Sequence, residues 1–562
     1  MCWIKSSQAA GLAPRILPAH SRQVPTNVAS NAACSPLPEE RVKLVRNLTL
    51  AIVCLLLGAS ALAAQNNIYI AQNEAGANSG ADCSNARSAA WFNTPANWGT
   101  GATQIGPGDT VHLCGTFRGA VGTTMLTVHG NGSAGSPITI RFENGATLAS
   151  PAWGWNGAID ITQKSYITID GGTSGIIQNT QNGTSLTYHQ SSNGILVSDS
   201  AHVVIKKLTI RGIYANEGSN SGATDAAGQG SNDIYIAGNN SDISIHDNTL
   251  AAARAGISVG LAKTFSGLDI YSNKISDHCW GIKVGEGSGG FSGSDVRIHG
   301  NTITNWTNWQ YPSSVYHTDG IIVYVMSGSS LSPRIYNNYI YGNLGSGSPT
   351  AFIFCTYGTS PPGTVCSIYN NVLISSGLTT IWLKNGQPGN QVYNNTIVGP
   401  GASGGIAVRL ETATTGMTFK NNIVSHWQRA ITSYTNLAEQ IKASDHNVFY
   451  DTHQYLFSYN DGRGYYTLGK WQALGFDAHS STTDPRLSSN YQLQSGSSAV
   501  GLGANLSSLG LPALNADKLG VVRAAAGACK PGVAGCWDSG ALQASSGRSR
   551  PAVPMNLQAV VK

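Results

Sequence analysis

Imidazole, carboxylate and amine groups crowd into one stretch of this chain: Asp277, His278 and Lys283 in ISDHCWGIKVGEG, then His317 and Asp319 in HTDGIIVY. Brought together, such groups shift one another's proton affinities and can pass protons to and from a substrate. Two reactions suit them. Elimination from a uronic-acid chain needs a base that takes the proton beside a carboxylate, and a cation that steadies the charge that develops. Lys283, His278 or His317 would be that base, and Lys283 or Arg254 the cation. Glycoside hydrolysis usually needs two carboxylates; Asp319 would be one, with Asp277 or Glu286 as the other. Trp280, Trp306, Trp309, Tyr311, Tyr316 and Tyr324 are near in sequence, and flat rings suit the apolar faces of sugars. The expected catalytic set is therefore Lys283, His278, His317 and Asp319. Arg254, Trp280, Glu286, Trp306, Trp309 and Tyr324 are expected to line the substrate.

Residues as far apart as 278 and 317 meet only if the chain returns to the same place, and a repeat provides the return. The phrase apolar-x-apolar, one or two residues, Asn, then an apolar residue recurs as ISIHDNTL, LDIYSNKI, VRIHGNTI, PRIYNNYI, CSIYNNVL, QVYNNTI, MTFKNNIV and KASDHNVF. Its asparagines are Asn248, Asn273, Asn301, Asn338, Asn371, Asn395, Asn422 and Asn447, separated by 25, 28, 37, 33, 24, 27 and 25 residues. Earlier strands, ITIRFENGATL, YITIDGG and VVIKKLTI, lack the Asn. Each unit is too short to bury its own apolar face, so the units must stack. Their alternation has the period of a strand. A second strand follows each Asn turn, as in GISVG, GIKVG, GIIVY and TIWLK. Two or three short strands per turn make one coil of a parallel β-helix, with successive coils ~4.8 Å apart.

The asparagines are expected to take the left-handed conformation at a sharp bend, and to hydrogen-bond from coil to coil as an amide ladder. Aligning the second strands on Gly256, Gly281 and Gly320 puts His278 and His317 in one column and Asp319 in the column of Trp280. Arg254 then stacks with Cys279 and Thr318, and Lys283 points outward. Extra residues at 214–232 and 302–317 are expected to form loops beside this face. Arg409 with Glu411, and His426 with Arg429, mark a second polar zone on later coils.

Charged residues are only 11% of the 562, and Gly numbers 67, which argues against a helical or acidic disordered chain. Arg41, Lys43 and Arg46 precede LTLAIVCLLLGASALAA, the pattern of a secretory signal peptide cleaved near residue 64. Residues 1–41 have no periodicity, so the signal itself is read as 42–64, with an initiator at Val42. Removing residues 1–64 takes six of 33 basic and two of 28 acidic residues, leaving 27 against 26. A near-neutral chain is a poor electrostatic partner for nucleic acid. The remaining cysteines form three local pairs, Cys83 with Cys114, Cys355 with Cys366 and Cys529 with Cys536, as an exported compartment permits. Cys279 is left over and is read as a buried thiol. No C-x-x-C pair marks a structural zinc site. Calcium assistance is open through Asp225, Asp233 and Asp277, without a loop of EF-hand type.

On its repeat, and on a C-terminal stretch running from YTLGKWQALGFDAHSSTTDPRL to CWDSGALQ, the chain resembles the pectin-lyase-like superfamily of right-handed parallel β-helices over roughly residues 66–543. The resemblance implies an all-β, single-stranded right-handed parallel β-helix with an N-terminal cap and a C-terminal closing segment. The expected organisation is a leader at 1–64, cap and first coils at 65–135, and repeats at 136–450. Closing coils and cap at 451–543 and a flexible tail at 544–562 complete it. HTDG at 317–320 resembles the N-T-D element of polygalacturonases, but their paired aspartates and their G-H-G and R-I-K elements are missing. ISDHCWG at 275–281 is similar to the W-x-D-H element of pectate lyases, with the tryptophan displaced and R-x-P-x-x-R absent. The fold hosts lyases, hydrolases and non-catalytic adhesins. The expectation is a secreted monomer that acts on an extracellular polysaccharide without stable membrane insertion. A lyase of acidic glycans comes first, a glycoside hydrolase second and a glycan-binding adhesin third.

Overall fold

In a computed structural model the described residues are 65–544, apart from 185, 217–229, 261–263, 286–291, 308–316, 326–329, 346–348, 358–364, 385–387, 412–413 and 525–536. The leader and the tail beyond 544 therefore lie outside the described residues. Each coil contributes up to three short strands, and every face is a parallel sheet. The first face runs from Asn67–Ala71 through Asn240–His246 and Ser292–His299 to Ile441–Asp445. Its inward column reads Ile169, Ile205, Ile245, Ile270, Ile298, Ile335, Ile368, Val392 and Phe419, each paired with the next. All nine side chains are fully buried. Burying an Ile side chain contributes roughly 1.5–3 kcal/mol, so one such column explains why strand alternation alone specifies a solenoid.

The Asn ladder forms, with a change in which residue bends the chain. Asn248 Nδ2 donates to Asn273 Oδ1 at 3.0 Å, and the same bond continues through Asn301, Asn338, Asn371, Asn395 and Asn422 to Asn447. Buried Asp477 ends the ladder by accepting from Asn447 Nδ2 at 2.8 Å. The left-handed residue is not the ladder Asn but the one before it. Asp247, Ser272, Asn337, Asn370, Asn394, Asn421 and His446 have φ between +48° and +58°. This division has a physical cause: the bend needs αL tolerance, while the buried amide beside it satisfies backbone groups on neighbouring coils.

At the N-terminal end the short helix Ala89–Phe92, capped by Ser88, buries Phe92 edge-on against Trp98. At the other end the chain after Asp477 folds back over the first-face corner. There the αL asparagines act as docking points: the side-chain amide of Asn370 donates to the carbonyls of Ala513 and Ala516, that of Asn394 to Asp538 and Gly540, and that of Asn421 to Ala504. Disulfides Cys83–Cys114 and Cys355–Cys366 are present; Cys529 and Cys536 lie outside the described residues. Cys279 is buried and its thiol donates to the Thr307 carbonyl. Among the described residues no helix is long and apolar enough to cross a membrane.

Candidate active site

On the third face the strands Thr249–Val259, Lys274–Val284, Thr318–Val325, Pro349–Tyr357, Thr379–Lys384 and Ile406–Leu410 stack in register. Trp280 pairs with Asp319, and the outward column reads Ser258, Lys283, Ile322, Phe354, Trp382 and Arg409. Two coil positions of proton-transfer residues and the later polar zone of Arg409 and Glu411 thus lie on one continuous exterior stripe.

His317 and Asp319 form its centre. His317 Nδ1 lies 2.5 Å from Asp319 Oδ2, and the Thr350 hydroxyl donates to Asp319 Oδ1. The Asp319 side chain is 0% exposed, while that of His317 is 27% exposed. A carboxylate on Nδ1 holds the proton there and leaves Nε2 as the basic nitrogen. Trp306 Nε1 donates to the Asp319 carbonyl at 2.7 Å, which pins the backbone behind the pair. Burial, the largest influence, lowers the His317 pKa; the charge and hydrogen bond of Asp319 together outweigh it, Lys384 opposes them, and the net shift is upward.

Cations surround this imidazole. Trp280, whose ring is 6.2 Å from that of His317, carries the Arg254 guanidinium at 4.4 Å and Lys283 Nζ at 5.4 Å. On the other side Trp382 has Lys384 Nζ at 5.8 Å and the Arg409 guanidinium at 4.9 Å, and its Nε1 donates to Glu411. Aromatic faces hold these cations by their quadrupoles and keep them on the surface. Phe354 lies between, edge-on to His317 and against Trp382.

Several expected residues are elsewhere. His278 is not on the surface: it is 1% exposed, and its Nε2 meets fully buried Asp233 Oδ2 at 2.8 Å. Its column neighbours are Ala253 and Trp306, not His317. Alignment on glycines counted backwards across the insertion after Trp306, and the left-handed bend at Asp277, φ +59°, turns His278 inward. Asp233 is consequently consumed by that pair and cannot serve a surface calcium; Asp225 lies outside the described residues. Asp277 is exposed on the surface, and partial desolvation raises its carboxyl. Trp306 is a core residue stacked on Phe352 rather than a groove wall. Tyr324 is partly buried against the outer aromatic cluster. Glu286 and Trp309 lie outside the described residues. His426 pairs with Asp451, and Arg429 lies over Tyr465, at a separate place.

Thr350, Phe354, Trp382 and Lys384 were not foreseen. Extending the column alignment past Gly320 would have found them, but there the marker glycine gives way to Phe352, Thr380 and Ala407. A separate trough of roughly 660 Å³ on the first face is lined by Ser165, Asp199, Ser241, Ser266 and Ser294 among others. No imidazole or amine is among its lining residues.

No family model matches the chain, and no curated protein does. Solved structures show remote likeness. Pectate lyase Pel9A is 13% identical, with 86% of this chain and 97% of that chain covered at a TM-score of 0.39. XylC in complex with xylose is 12% identical, with 75% and 87% covered at 0.38. The GH136 lacto-N-biosidase from Eubacterium ramulus is 13% identical, with 79% and 70% covered at 0.27. At this distance the likeness carries nothing about function, which must be read from the residues.

Proposed function

We propose that this chain is an exported polysaccharide lyase that cleaves an acidic glycan by β-elimination, with His317 as the proton-transferring residue. One observation carries the reading: an imidazole braced by a buried carboxylate, His317–Asp319, stands between two tryptophans that carry four cations. The His317 Nε2 lone pair takes the proton on the carbon that bears the uronate carboxylate. The bond to the neighbouring glycosidic oxygen then breaks, a carbon–carbon double bond forms, and the leaving oxygen gains a proton. Lys283, with Arg254, Lys384 and Arg409, draws the anionic chain in and steadies the enolate-like charge. Asp319 is a positioning residue that holds the ring and its tautomer. Trp382, partly exposed, offers its ring to a sugar, whereas Trp280 is buried and acts by holding Arg254 and Lys283.

Hydrolysis by two carboxylates fits less well, because Asp319 is enclosed and both its oxygens are engaged. The test incubates the mature domain with uronate and neutral polysaccharides, following ultraviolet absorbance of unsaturated products and new reducing ends. Absorbance with reducing ends supports elimination. Reducing ends alone mean hydrolysis; neither, with retention on a glycan column, means a binding protein. An unchanged rate in His317→Ala would remove this residue from the mechanism.

A further inference from the structure

At the far end of the solenoid, away from the third-face stripe, three metal-ligating side chains converge. Asp445 ends the strand Ile441–Asp445, His446 follows it, and His479 comes from the segment after the helix Leu468–Gln472. His479 Nδ1 is 2.8 Å and His446 Nε2 is 3.6 Å from Asp445 Oδ2, and one ligand atom from each residue lies within 4.8 Å of the others. We infer that Asp445, His446 and His479 bind a transition-metal dication of the zinc class, which clips the closing segment to the last coil.

Three observations point the same way. First, His446 Nδ1 lies 2.8 Å from the Leu502 carbonyl oxygen, which fixes the proton on Nδ1 and leaves the Nε2 lone pair towards Asp445. Metal-binding imidazoles characteristically donate their second nitrogen to such a partner. Second, His446 occupies the left-handed slot that the four preceding copies fill with Asn337, Asn370, Asn394 and Asn421. Nδ1 does the docking that the amides of Asn370, Asn394 and Asn421 do there, so Nε2 is surplus to that task. Third, the Asp445 carboxylate is already anchored: its Oδ1 accepts the backbone N–H groups of His446 and His479.

A nitrogen–nitrogen–carboxylate set suits zinc, copper or nickel better than calcium or magnesium. Nitrogen-to-carboxylate distances of 2.8 and 3.6 Å, with all three ligand atoms within 4.8 Å of one another, suit a central ion ~2.1 Å from each once His479 turns, with water completing the shell. The two imidazoles are near-parallel, 9° apart with centroids at 4.9 Å. His479, whose side chain is 68% exposed, is therefore the ligand that turns to aim its lone pair at the ion. The set escapes sequence motifs because its third member lies a coil later, with no fixed local spacing. Because the ligands join the last coil to the closing segment, an ion bound to the folded chain alone stabilises that closure.

The test uses mature protein without an affinity tag, stripped with chelator and titrated with Zn²⁺ alone by calorimetry and thermal melting. The expected result is one saturable site per chain and a melting temperature that rises with Zn²⁺ and falls back with chelator. His479→Ala and His446→Asn are expected to abolish the saturable site. His446→Asn keeps the docking amide of the other copies, so its metal-free melt should stay close to that of the parent. Absence of stoichiometric Zn²⁺ binding in the parent, or binding that survives both variants, overturns the inference. Neither result depends on catalysis, so it stands or falls separately from the lyase reading.

Discussion

At the scale of single residues, the useful contrast is between two histidine–aspartate pairs, one formed by residues two apart in the chain and one by residues 45 apart. His317–Asp319 is open on one side and His278–Asp233 is sealed. For the open pair, loss of the imidazole in His317→Ala should lower kcat by roughly 100- to 10,000-fold, the usual worth of a general base. As a base His317 works when neutral, so the rate should rise with pH through its raised pKa. Asp319→Asn removes the charge that raises it, so that limb should move to lower pH while the maximal rate falls. A pH–rate profile of both proteins checks this; an unmoved limb would mean that the titrating group is not His317.

The sealed pair should act on stability instead. Burial raises Asp233 well above its ordinary value and depresses His278 to about 3, so the folded pair holds one proton between these limits. The unfolded chain holds none above the ordinary imidazole value of 6.5 and two below the ordinary carboxyl value of 3.8. The depressed His278 value therefore removes stability as pH falls from 6.5 towards about 3, and the raised Asp233 value removes stability as pH rises above 3.8. The two trends oppose each other between 3.8 and 6.5, and below 3.8 only the loss from His278 remains. Truncation of one partner, as in His278→Ala, leaves a neutral polar group buried and unpaired and should cost ~1–3 kcal/mol. Denaturant titrations across pH test both statements, and a loss of stability below pH 3.8 that persists unchanged in His278→Ala would refute the linkage.

At the scale of the element, neighbouring asparagines in N-N doublets have opposite duties. Asn338 is buried and accepts from both the backbone and side-chain nitrogens of Asn301 while donating to Asn371 and to the Ile298 carbonyl. Asn337 supplies the left-handed bend, at φ +56°, and a backbone carbonyl that accepts from Lys518. Asn338→Ala leaves several buried groups unpaired at ~1–3 kcal/mol each, and should loosen adjacent coils in hydrogen exchange. Asn337→Gly should change stability by no more than about 1 kcal/mol, since glycine accepts the bend freely. Equal effects at the two positions would contradict this division of labour.

At the scale of the whole molecule, a near-neutral balance of 27 basic against 26 acidic residues from position 65 onward hides a local field. Arg254, Lys283, Lys384 and Arg409 share one stripe, and local charge rather than net charge steers a polyanion. Replacing Lys283 and Lys384 together with Gln should raise KM for a uronate polymer at low salt and flatten its dependence on ionic strength. A neutral polymer should notice neither change. The same scale governs closure. Tyr369, Tyr393, Leu514 and Trp537 form one buried cluster between the coils and the C-terminal segment. Deleting residues from 503 onward should expose the tyrosines and promote association, measurable by light scattering. A monodisperse truncated chain would show that the segment is dispensable.

What the sequence by itself determined is the solenoid: strand alternation, the spacing of Asn248 to Asn447, and the register that pairs Trp280 with Asp319. Those features are written within each copy, because burying every second side chain and satisfying every stacked amide follow from local pattern repeated at coil spacing. It also brought Lys283, Arg254 and His317 to one stripe. Only the tertiary structure decided which way His278 and Trp306 point, that Asp233 is spent inside, and that Thr350, Trp382 and Lys384 complete the stripe. Direction at a corner depends on a single left-handed residue, Asp277, and on where an insertion rejoins the coil. A residue's neighbours there come from other turns, so no pattern within one repeat can encode them.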